Sequence, residues 1–281
     1  MPAIHVVDFD PVRVAREVYD DVFRRDWGGC GFALIQFESV TSSTVFRQRM
    51  VELQKVLDQQ LQVARGMRLR FQSLARFDQQ TTTKFHRDGG PDESILMLGY
   101  EPTPVQSSVT LADYTRAAHD LGLTPREFME QHNPMFGPGE QLLASYLRPL
   151  TEFDSTRYQI VLINNSCLPW TPQPEHSLGV LHQATILTPD PSQSRIINST
   201  MLVIAPPEAP EPISPDQLTD FVESDAVARR SDASGGYESP PVGRPFQAVR
   251  DRVLQPDGQE RPSYGETFFN PLWGPEVDPR D

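Results

Sequence analysis

Cysteine is nearly absent from this chain: Cys30 and Cys167 are the only two among 281 residues. Two thiols so far apart make no disulfide framework, and no Cys-x-x-Cys pair offers a zinc or redox motif. They read as small buried hydrophobes in a reducing compartment. Long apolar runs are also missing. No stretch approaches the ~18 residues of a membrane-spanning helix. The start, Met1-Pro2-Ala3-Ile4-His5, has no basic segment leading into an apolar one. A cytoplasmic protein without a membrane partner is the expectation. Positive charge is in short supply, with 25 basic against 38 acidic residues and a formal net charge of −13. That field repels phosphate backbones and anionic membrane surfaces, so nucleic acid is not an expected partner. No internal repeat is visible.

What is present is ordinary for a globular protein, with 38% hydrophobic residues and enough length for one large domain or two small ones. Asp10-Pro11 has the form of an N-cap with proline at the first helical position. Val14, Val18, Val22 and Phe23 then recur at helical spacing until Gly28-Gly29 stops the helix. Residues 31–37 read as a buried strand, and 43–64 as a second helix with Met50, Leu53, Leu57 and Leu61 near one face. A strand or hairpin follows through Leu69, Phe71, Leu74 and Phe77, and another strand over 95–100. Residues 111–119, 125–131 and 139–147 read as short helices inserted in the sheet. Strands resume over 158–163, 179–187 and 195–204. The pattern is a mainly β core with helical flanks. After Ala205 proline becomes frequent, which divides the chain into a domain over 1–205 and an extension over 206–281. Ser214-Pro215-Asp216-Gln217 has the shape of a capping box and predicts a helix over 214–229.

The chemistry-bearing segment is Lys84-Phe85-His86-Arg87-Asp88-Gly89-Gly90. On a strand, His86 and Asp88 would share a face. An imidazole and a carboxylate on one face are two thirds of a facial triad, a site that suits non-haem Fe(II) because three coordination positions stay open. His182 stands within the apolar run Leu178 to Ile186. A histidine there must be hydrogen-bonded, coordinated or solvated. Arg195 opens the apolar run Ile196-Ile197-Asn198-Ser199-Thr200-Met201-Leu202, thirteen residues after His182. It either caps the sheet edge in a surface ion pair or points inward as a fork for a dicarboxylate. The turn Thr188-Pro189-Asp190-Pro191-Ser192 would make the two strands neighbours.

His-x-Asp, a distant histidine and an arginine some ten to fourteen residues on resembles the signature of the Fe(II)/2-oxoglutarate oxygenases. The resemblance covers about 69–204, and its spacing looks most like the taurine dioxygenase and clavaminate synthase branch. It implies a double-stranded β-helix, or jelly roll, for the β core, to which the N-terminal helices and proline-rich C-terminal extension read above are added. It implies Fe(II) on His86, Asp88 and His182, with Arg195 on the far carboxylate of 2-oxoglutarate. In that branch a Gly-Gly-x-Thr element follows. Here Ser107-Ser108-Val109-Thr110 stands in its place, which nominates Thr110 as a second cosubstrate contact. The implied reaction couples decarboxylation of 2-oxoglutarate to oxidation of a C–H bond by O2, with hydroxylation as the default outcome. The implied substrate is a small polar molecule such as an amino acid or derivative.

Arg70, Arg76, Arg87 and Arg157 are candidates for an anionic substrate, and Asn164 and Asn165 for a polar group. Tyr100 and Trp170 are candidate pocket walls, and His176 competes with His182 as third ligand. Tyr264, Phe268, Phe269 and Trp273 require burial on the core or in a homo-oligomer formed through the extension. Two other readings stay open: a cupin-type metal enzyme without 2-oxoglutarate, and a non-catalytic binding module.

Overall fold

The computed structural model describes residues 3–136, 138–173 and 175–229. Among these described residues, ten strands form two sheets. β1 (Ile4–Val6), β2 (Phe32–Phe37), β3 (Arg68–Asp78), β4 (Ser94–Tyr100), β7 (Tyr158–Asn164), β9 (Ile196–Ala205) and β10 (Ala228–Arg229) make a sheet in the order β1-β2-β7-β4-β9-β3-β10. Its inner pairs are antiparallel, and β1 and β10 join parallel at the edges. β5 (Ser107–Ala112), β6 (Leu147–Pro149) and β8 (Leu181–Ile186) make an antiparallel sheet in the order β6-β5-β8.

Alternation along the strands gives the large sheet two apolar faces. Ile95 and Met97 of β4 and Leu202 and Ile204 of β9 face two helices, α1 (Pro11–Val22) and α2 (Ser43–Arg65), in one core cluster. Leu96, Leu98 and Tyr100, with Ile197 and Met201, face the small sheet and pack with its Val109 and Leu111. The helices form for local reasons. Asp10 accepts from the amides of Val12 and Arg13 and so caps α1. Ser42 caps α2, and Gly66 ends it in the left-handed region at φ 67°. Phe46, Met50, Leu53, Leu57 and Leu61 give α2 its buried stripe.

Four sequence-based helices are shorter than expected. The first, expected to run until Gly28-Gly29, ends at Val22, with Phe23 donating its amide to the Tyr19 carbonyl. The helix expected over 111–119 begins as strand, because Leu111 and Ala112 complete the β5 ladder against β8. Asp113 then caps α3 (Tyr114–Asp120), which is followed by α4 (Pro125–His132). The helix expected over 139–147 breaks into α5 (Pro138–Leu142), a 3-10 turn and β6, whose pairing with β5 outweighs local propensity. The helix expected over 214–229 ends early, as α6 (Pro215–Glu223). The fully buried Arg47 donates to the carbonyls of Val222 and Ser224 and satisfies that end. Ile213 and Phe221 join the helix-side core. The aromatic residues expected to bury the extension lie outside the described residues. No helix among the described residues is long and apolar enough to cross a membrane.

One buried ion pair ties the layers at the start of β8. Arg24, just after α1, donates to both carboxylate oxygens of Asp113 at 2.7 and 2.6 Å and also to the carbonyls of Leu178 and Gly179. Removing one partner strands a buried charge. Asp113→Ala should lower unfolding stability by about 3–5 kcal/mol in chemical denaturation.

Candidate metal centre

After β3 the chain runs beside the free edge of β8. The Thr83 amide donates to the carbonyl of Ala184, and the Thr83 and Thr82 hydroxyls accept from the amides of Ala184 and Ile186. At the end of this segment His86 and His182 exchange backbone hydrogen bonds of 3.1 and 3.0 Å, an isolated antiparallel bridge. The bridge sets the two imidazoles side by side, with ring centroids 4.2 Å apart. The expected strand under His86-Arg87-Asp88 is reduced to this one bridge, and Asp88 lies in the loop beyond it. The two side chains nevertheless converge, with His86 Nε2 3.3 Å from Asp88 Oδ1. Donor atoms of His86, Asp88 and His182 all lie within 4.8 Å of one another.

Register places His182 opposite Leu111, so its ring enters the space between the sheets. The residue is 6% exposed, and its Nδ1 is buried without a hydrogen-bond partner among the described residues. Burial, reinforced by the neighbouring His86, pushes its pKa down to about 3 against the pull of Asp88. The ring is therefore neutral at physiological pH, the form that binds metals. His86 Nδ1 lies 2.7 Å from the carbonyl of Lys84. That contact holds the proton on Nδ1 and leaves Nε2 as a ligand atom. A neutral imidazole with an orphaned nitrogen, a second imidazole presenting Nε2 and a carboxylate fit a divalent transition metal with open positions.

Arg195 also points inward. Its residue is 1% exposed, with Nε donating to Ser107 Oγ at 3.0 Å and Nη1 to the Gln79 carbonyl at 3.2 Å. Its guanidinium lies 5.1 Å from the centre of the Tyr100 ring, and Nη2 is buried with no hydrogen-bond partner among the described residues. No carboxylate of the described residues forms an ion pair with it. Ser107 and Leu111 share the inner face of β5, so Arg195 and His182 open onto the same interior. Four residues of β5 separate the two levels, about 13 Å of strand.

Thr110 is not brought to this interior. It pairs with Gln183 on the opposite face of the small sheet, the parity that β-strand alternation dictates. The hydroxyl that meets Arg195 belongs instead to Ser107, three residues earlier and on the inner face. His176 is also elsewhere. Its Nδ1 lies 3.2 Å from Glu93, which accepts from Ser177 and pairs with Arg65 at 2.8 Å. Burial alone would raise the Glu93 carboxyl, but Arg65 and the Ser177 amide outweigh it and hold it below its ordinary range.

The arginines proposed for substrate are engaged. Arg70 pairs with Glu211, Arg76 with Glu101 and Arg157 with Asp154. Arg87 donates to the carbonyls of Asn165, Gly90 and Pro91. Trp170 stacks on Trp27 beside His119. Asn164 donates to the carbonyl of Val22, while Asn165 holds the backbone of Asp88. Tyr100 does wall the interior, beneath Arg195.

No protein-family model matches the chain, and no curated protein matches it. Among solved structures, similarity extends to the non-heme alpha ketoglutarate dependent epimerase SnoN from nogalamycin biosynthesis. That likeness has 15% identity and a TM-score of 0.35, over 75% of this chain and 87% of that one. A variant of the iron and alpha-ketoglutarate-dependent endoperoxidase NvfI is similar at 12% identity and a TM-score of 0.30, over 68% of this chain and 84% of that one. Neither singles out the taurine dioxygenase and clavaminate synthase branch.

The geometry separates the two histidine candidates. His182→Ala should weaken Co(II) binding by more than the roughly 10–100-fold typical of changes around a metal site. His176→Ala should titrate like the parent, with both followed by visible absorption under anaerobic conditions.

Proposed function

We propose that the chain is an Fe(II)- and 2-oxoglutarate-dependent oxygenase whose two facing sheets form a double-stranded β-helix. One observation carries this reading: three donors within 4.8 Å of one another share an interior with a buried guanidinium that lacks an acidic partner among the described residues. A triad without the arginine would suit a cupin-type metal enzyme equally well.

In this reading His86, Asp88 and His182 hold the iron, and Arg195 receives the far carboxylate of the cosubstrate. Iron with 2-oxoglutarate and O2 supplies the oxidising power for an unactivated C–H bond. The residues of this chain bind and orient. The Lys84 carbonyl keeps the proton on His86 Nδ1, so that Nε2 is presented. Ser107 and Gln79 fix the plane of the Arg195 fork, and the Tyr100 face supports it from below. A bidentate guanidinium–carboxylate contact gives orientation as well as charge. Leu111 and Val109 line the interior and exclude water from it. The substrate is a small polar molecule such as an amino acid derivative. Its charged groups have to be met outside the four engaged arginines.

Anaerobic addition of Fe(II) and then 2-oxoglutarate should give the visible charge-transfer band of the chelate, and admitting O2 should release succinate. No band and no succinate would sink the assignment. Arg195→Met should cost about 2–5 kcal/mol of 2-oxoglutarate binding, roughly 30-fold or more in Kd, while Fe(II) alone still binds. An unchanged cosubstrate Kd would remove the role given to Arg195, and a parent that binds Fe(II) but no 2-oxoglutarate would favour the cupin-type alternative.

A further inference from the structure

We infer that Asn165 is a positioning residue that sets the aim of the Asp88 carboxylate by holding the backbone of Asp88 at both ends. The inference rests on the metal reading given above. Asp88 belongs to no sheet ladder, and the two side-chain-free residues Gly89-Gly90 follow it. Asn165 grips its backbone directly. Its Oδ1 accepts from the Asp88 amide at 3.1 Å, and its Nδ2 donates to the Asp88 carbonyl at 3.1 Å. Two bonds to the two backbone groups of one residue fix the peptide planes on both sides of its Cα. The direction of the Cα–Cβ bond follows.

The orientation of the amide is determined by its surroundings. An amide N–H can only donate, so Oδ1 must face Asp88 N. On the other side Nδ2 lies 3.1 Å from Ser94 Oγ, whose own hydrogen is committed to the carbonyl of Pro91 at 3.0 Å. That hydroxyl therefore accepts, which again assigns the nitrogen to Nδ2. Asn165 is fully buried, and its donors and acceptor are spoken for, so it has nothing left to offer a substrate. Its own backbone is held at both ends, with its amide donating to Ser94 O at 2.8 Å and its carbonyl accepting from Arg87 Nε.

Arg87, the residue between the two ligands, completes the clamp from the other side. It spans from the Asn165 carbonyl to those of Gly90 and Pro91. Asn165 directly follows β7 and Ser94 opens β4, so the carboxylate takes its position from the large sheet. The two imidazoles take theirs from β8 of the small one.

The test is an anaerobic Co(II) titration of the full chain, read by visible absorption, with thermal unfolding of the metal-free protein in parallel. Asn165→Ala should raise the Co(II) Kd by about 10–100-fold and change the absorption envelope. Asn165→Asp keeps the acceptor for Asp88 N–H but loses the donor to its carbonyl. Its added negative charge would by itself tighten cation binding, so weakening in this variant reports geometry. Arg87→Ala loosens the same loop from its partly exposed side and should weaken binding in the same direction, which keeps the test open if the buried substitutions fail to fold. Variants that melt lower but bind Co(II) within about threefold of the parent, with the same spectrum, would show a merely structural role and overturn the inference. A parent that takes up no Co(II) would overturn the metal reading and this inference together.

Discussion

A single pair of backbone hydrogen bonds, between His86 and His182, is the constraint on which the centre depends. The residues are 96 positions apart, and neither belongs to a ladder that the other extends. Thr82 and Thr83 tie the segment after β3 to β8, but the bridge alone brings His86 level with His182. With it, two imidazoles stand face to tilted face between the sheets. Everything else at the site refines this contact. Thr82 and Thr83 hold the approach to the bridge, Lys84 sets the tautomer, and Asn165 and Arg87 hold the exit.

Two buried groups on the same interior, about 13 Å of strand apart, are short of a partner. His182 Nδ1 and Arg195 Nη2 have no hydrogen-bond partner among the described residues. Native interiors rarely leave such atoms unpaired, and each unpaired atom calls for an explanation. One is a neutral nitrogen beside a carboxylate and a second imidazole, the other a cationic fork over an aromatic ring. A cation and an anion are the complementary ligands. Under the proposed reading, iron and a dicarboxylate would be those ligands.

Much of this was legible in the residue order. The apolar spacing of α1 and α2, the Asp10 cap of α1 and the inner strands could be read directly, because local hydrogen bonding and side-chain period determine them. His86, Asp88 and His182 could be nominated together, and Arg195 through the resemblance, and the fold brings the first three close to one another. What could not be read was parity and pairing. Thr110 and Ser107 are three apart on one strand, and only the register against β8 shows which faces the interior. Asn165 looked like a residue free to contact a ligand, since nothing in its neighbours predicts a hydrogen bond to a backbone 77 positions away. The helices expected over 111–119 and 139–147 failed for the same reason: β5 and β6 are defined by partners distant in sequence.

The origins of the three donors have a mechanical consequence. The carboxylate is carried by the large sheet and the imidazoles by the small one, so an ion at the centre is a rivet through both. Arg195 and Ser107 already stitch the layers together some distance along β5. A metal at the other level would make a second fastening, and the stiffness of the sandwich would then vary with its metal content.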